Sequence, residues 1–147
     1  MKYQEGKIGR IFVIKFEHGD DVLQEIVKLA ESKNISAALV FMLGALKSGQ
    51  LVVGPNECVI PPEGISFKFE DGREILALGT LFKDENRKPS LHIHTAAGRE
   101  EKVRVGCLRA DAEVYLTVEA VILELDGLKA ARLFDPDMQL KLLTFLI

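Results

Sequence analysis

Apolar residues recur along this chain at two periods, and the switch between them marks its elements. Lys7–Phe16 (KIGRIFVIKF) places Ile8, Phe12, Ile14 and Phe16 on one parity, interrupted by Arg10 and Lys15. That is a strand with one buried face. After the turn His18-Gly19-Asp20-Asp21 the period lengthens. Val22, Leu23, Ile26, Val27 and Ala30 fall on one stripe, with Glu25, Lys28 and Glu31 opposite, so a helix is predicted to about Ser32. Asp20 or Asp21 caps it; with Asp21 as the cap, Gln24 stands where a capping box needs it.

Ile35–Leu46 (ISAALVFMLGAL) is apolar almost throughout. Its β-branched and aromatic content, with Gly44 near the end, favours a buried strand carrying a bend or bulge. Gln50–Val53 is a short strand placed to pair with it through Lys47-Ser48-Gly49. An irregular loop over 54–64 holds Pro55, Pro61 and Pro62. Ile65–Phe69 and Glu74–Phe82 flank Asp71-Gly72, a hairpin signal. Leu91–Ala96, Val103–Leu108 and Glu113–Leu125 are further strands. The tail turns at Asp135-Pro136-Asp137 and ends in LKLLTFLI.

One helix and short turns predict an α+β fold, a single domain over 1–147. Its sheet has seven to eight strands, mixed but mostly antiparallel, with one main helix packed on it. One helix cannot cover such a sheet. The surplus apolar surface is expected to meet another subunit, or else the sheet closes into a barrel on itself.

Composition narrows the function classes without naming one. The 147 residues are 48% hydrophobic and 28% charged, with net charge −3, as in ordinary globular domains. That charge argues against binding nucleic acid by bulk attraction. No apolar run is long enough to span a membrane, Met1–Gly6 lacks the apolar core of a secretory signal, and two cysteines are too few for a disulfide scaffold. A cytoplasmic location is expected.

The candidate chemistry is His92-Ile93-His94. Strand residues two apart share a face, so both imidazoles project together. Cys107, on the next strand, is the candidate third ligand. Two imidazoles, a thiolate and a water make a tetrahedral zinc site. The alternative is half-buried packing of two histidines beside a small core cysteine. Glu100 and Glu101 are weaker ligand candidates at the turn. His18 reads as a solvated loop residue and Cys58 as an inert thiol. Glu74 and Glu119, among apolar neighbours, are expected to pair with Arg73 or Arg104. No phosphate-binding glycine loop or nucleophile elbow is present, and no catalytic base can be named.

FMLGAL, EILALGTLF, LHIH and VGCL, in that order behind the GDDV helix start, resemble the plants-and-prokaryotes-conserved (PPC) domain over about Lys7–Leu143. In plants that domain follows an AT-hook in nuclear DNA-binding proteins; in bacteria and archaea it usually stands alone. The resemblance implies a sheet of about seven strands with a helix, a homotrimer, and a metal, often zinc, held by H-x-H and a later G-G-H. His92 and His94 match the first motif, and Cys107 stands where the third histidine is expected. Two roles follow: a regulatory domain contacting DNA or protein, or a small zinc-dependent enzyme with its pocket at a subunit interface. DNA contact would need a local basic patch from Arg87, Lys88, Arg99, Lys102 and Arg104.

Overall fold

The structure is a computed structural model describing residues 1–146. Strand β1 (Lys7–Glu17) leads to helix α1 (Val22–Ser32). The strands β2 (Ala37–Leu46), β3 (Gly49–Pro55), β4 (Gly64–Phe69), β5 (Arg73–Lys83), β6 (Pro89–Arg99), β7 (Lys102–Ala110) and β8 (Val114–Asp126) follow. The eight form one sheet in the order β1-β8-β2-β5-β6-β7-β3-β4, and β9 (Ala130–Asp135) with β10 (Leu140–Phe145) makes a separate hairpin. Among the described residues every ladder is antiparallel, and the one parallel contact is an isolated bridge between Asp84 and Arg132. The expected α+β sheet with one helix is present, and its mixed character reduces to that bridge.

Asp21 caps α1: its Oδ1 accepts from the Leu23 and Gln24 amides, each at 3.0 Å. Val22, Ile26 and Ala30 are fully buried against the inner sheet face, where Val40, Ile93 and Ile122 meet them in one core. Each large aliphatic side chain removed from water there contributes roughly 1.5–3 kcal/mol.

The outer face carries no helix. On β5, Ile75 and Ala77 point inward and are buried, while Leu76 and Leu78 point outward and are 69% and 53% exposed. Val13, Phe41, Leu43 and Val105 continue this exposed apolar surface on neighbouring strands. Elsewhere on the outer face the β9–β10 hairpin contacts β5. There Phe82 is buried, with the Arg132 guanidinium 6.0 Å from its ring centre.

Two expected hairpins do not form. β3 pairs with β7 and β4, not with β2. β2 instead takes β5 and β8 as neighbours, with ten register pairs to β5 from Ala37–Phe82 to Leu46–Arg73. A strand apolar on both faces is buried best between two long apolar strands, and seven-residue β3 is a poorer partner. Likewise β4 pairs with β3 and not with β5 across Asp71-Gly72. The Asp71 carboxylate is held by Arg73 at 2.8 and 2.9 Å.

Candidate metal centre

β6 and β7 form the hairpin that positions the candidate ligands. On β6, Ile93 and Thr95 fill the inner face, which forces His92 and His94 outward. His94 lies directly opposite Cys107 on β7. The two Nε2 atoms are 3.2 Å apart, with the rings nearly perpendicular at 81°. One ligand atom from each of His92, His94 and Cys107 lies within 4.8 Å of the others. A tetrahedral zinc ion needs two imidazole nitrogens about 3.3 Å apart, so this donor set fits one ion without rearranging the strands. Glu100 and Glu101 sit in the turn beyond the Arg99–Lys102 pair and are not part of the cluster.

Gly106 lets β3 close over this hairpin. A Cβ there would run into the Val52 carbonyl, so glycine is what permits Val52 to lie opposite Cys107. Beside the three donors is a cavity of about 660 Å³, walled by His92, His94, Cys107 and Arg109 together with Val52, Val53, Pro62 and Leu140.

The three donors sit in a positive setting. Partial withdrawal from water, reinforced by Arg132, His94 and Arg109, lowers His92 to about 4. Its imidazole is therefore neutral at physiological pH, with a lone pair free to donate. Burial pushes the Cys107 thiol up, against opposing effects of Arg109, an Ile93 backbone hydrogen bond and Arg132. A metal ion displaces such a proton because its own charge outweighs the desolvation of the thiolate.

Arg109 and Arg132 escaped the sequence reading. Arg109 was within reach, since it stands two residues after Cys107 and shares its face. Arg132 comes from the tail hairpin, and no local pattern announces where that hairpin docks. His18 is exposed as expected, though its Nδ1 accepts from the Leu116 amide at 3.2 Å and its ring meets Tyr115 edge-on. Cys58 is an exposed free thiol in the proline-rich loop.

Glu74 and Glu119 do not form the expected pairs: among the described residues neither makes an ion pair, and both are exposed. The reason is parity. Arg73 points to the face opposite Glu74, where it binds Asp71 and lies over the Phe67 and Phe69 rings. Arg104 likewise stacks on Phe67. The five basic residues considered for DNA contact separate as well. Arg87 and Lys88 precede β6, while Arg99, Lys102 and Arg104 lie at its far end, about 30 Å away along the strand.

The Plants and Prokaryotes Conserved (PCC) domain, the same family as the PPC domain, matches residues 3–126. No curated protein matches the sequence. Among solved structures, a metal-containing protein of Archaeoglobus fulgidus is 29% identical, with all of both chains covered and a TM-score of 0.86. A PPC protein of Pyrococcus horikoshii is 23% identical, covering 100% of this chain and 99% of that one, with a TM-score of 0.85. A proposed DNA-binding protein of Ralstonia eutropha is 20% identical over 91% and 90% of the two chains, with a TM-score of 0.73. The last two likenesses concern the fold alone. No helix of the described residues is long and apolar enough to cross a membrane.

Proposed function

We propose that this chain, which belongs to the Plants and Prokaryotes Conserved domain family, is a cytoplasmic metal-binding domain that assembles as a homotrimer. In this reading the whole chain is one domain, and His92, His94 and Cys107 hold one zinc ion. The observation that carries it is the convergence of two imidazole nitrogens and a thiol within 4.8 Å on one strand pair. The metal content named for the Archaeoglobus relative supports it. Two imidazoles and one thiolate are a borderline-soft set that suits zinc, and a three-residue set leaves an open coordination position. When bound, zinc supplies a Lewis acid or a structural tie; the chain's own residues fix the donors and wall the cavity beside them.

The trimer contacts a macromolecule, DNA or protein. The names of relatives such as the Ralstonia protein support DNA, while the net charge of −3 and the divided basic residues favour a protein surface. The second reading, a zinc-dependent enzyme, draws on one observation: a cavity of about 660 Å³ adjoins the donors.

Metal analysis of protein purified without chelator tests the proposal. The wild type is expected to carry about one zinc per chain, and His92→Ala/His94→Ala close to none. Equal, negligible zinc in both proteins overturns it.

A further inference from the structure

Arg132 is a buried cation with no counter-charge among the described residues. The residue is 6% exposed. Its Nη2 donates to the Thr80 hydroxyl at 2.6 Å, and its Nε has no partner among the described residues. No carboxylate of the described residues lies within ion-pair distance of it. Asp84, which bridges to it through the backbone, has its carboxylate engaged by Lys141 at 3.0 Å and by the Asn86 and Lys88 amides. An unpaired buried guanidinium is costly, so the fold keeps it for a reason other than stability.

Its position suggests that reason. Thr80 is directly opposite His92, so both project from the outer face and Arg132 lies over that face beside the imidazole. Arg109 stands on the same face of β7 and lines the cavity with His92, His94 and Cys107. Two guanidinium groups thus flank three metal donors with no acid among the cavity's walls. The Cys107 thiolate is the one anion the site can generate. A divalent ion would outweigh that thiolate by itself, which leaves both arginines in surplus. The remaining walls, including Val52, Val53, Pro62 and Leu140, are apolar.

We infer that this cavity binds a small organic anion. Its carboxylate or phosphate group faces Arg109 and the field of Arg132 at the metal centre, and its apolar body lies along the Val52 and Leu140 side. This rests on the proposed metal centre for the ion's share of the charge, while the two arginines act with or without it. A guanidinium is suited to both headgroups, because its fork of donors matches paired oxyanion oxygens.

Calorimetric titration of zinc-loaded and metal-stripped protein with hexanoate and with inorganic phosphate tests it, with zinc content measured in parallel. The expected result is one anion per chain, weakened at least about tenfold in Arg109→Gln, an effect of the size of one lost charged hydrogen bond, and by less in Arg132→Gln, which removes only a neighbouring charge. Arg109 is exposed, so its variant decides the matter should Arg132→Gln fail to fold. Whichever probe binds in an Arg109-dependent way identifies the headgroup as carboxylate or phosphate. Zinc bound with no anion taken up at millimolar concentration, or anion binding indifferent to both substitutions, overturns the inference alone. Arginine-dependent anion binding to a protein that takes up no zinc when zinc is supplied overturns the metal reading alone. Neither zinc nor anion bound overturns both.

Discussion

The chemistry of this protein depends on parity, one residue at a time. His92 and His94 are brought together because Ile93 and Thr95 between and after them are needed inside. The same alternation separates Arg73 from Glu74 and sends Glu124 inward on β8, where burial would be costly without Arg10. Arg10 grips both Glu124 oxygens, at 2.6 and 2.8 Å, and reaches the Lys33 carbonyl at the end of α1 at 2.9 Å. That grip holds the Glu124 carboxyl below its ordinary range. A carboxyl with a lowered folded-state pKa adds stability that is complete above its unfolded value, near 4.3, and is lost as pH falls through the folded one. Thermal melts of wild type and Arg10→Ala from about pH 7 to pH 3 check this. The variant is expected to melt lower at neutral pH, with the gap narrowing as acid protonates Glu124. A gap independent of pH would assign Arg10 a packing role instead.

At the scale of elements, much of the order was legible and the pairing less so. The helix and its Asp21 cap were legible because a period of 3.6 with a short carboxylate before it has few other meanings. The β6–β7 hairpin, and with it a place for Cys107 on the strand beside the histidines, followed from a short turn between two apolar runs. The hairpins expected at Lys47–Gly49 and Asp71–Gly72 failed because turn signals are local, whereas β2 and β5 are placed by the apolar surface they bury together. Arg132 was illegible for the same reason: its site is made by a tail that folds back across β5. Gly44 was legible as a bulge. It has φ +136°, and the β2–β8 register slips between it and Ala45. A Cβ there would lie 2.8 Å from the Val118 Cα. Gly44→Ala is expected to cost more than about 1 kcal/mol of unfolding free energy, from strain and crowding together. Chemical denaturation measures it, and an unchanged midpoint would show that the bulge accommodates a side chain.

For the whole molecule, the decisive feature is the uncovered apolar face. Val13, Phe41, Leu43, Leu76, Leu78 and Val105 form one surface that reaches His94, so the interface proposed for the trimer and the metal site are neighbours. A free monomer rarely leaves such a patch in water, and three copies arranged around one axis would bury it. The wild type is expected to sediment as a trimer. Leu76→Asp, which puts a charge into a face that must be desolvated, is expected to shift it to monomer in analytical ultracentrifugation. A wild type that sediments as a monomer would contradict the trimer, and with it any site completed by a partner subunit.

X-ray absorption at the zinc edge reads the donor set directly. Zinc-loaded protein is expected to show one sulfur at about 2.3 Å and imidazole nitrogens at about 2.0–2.1 Å, with the sulfur shell lost in Cys107→Ser. A spectrum without sulfur, or one unchanged by Cys107→Ser, would contradict it.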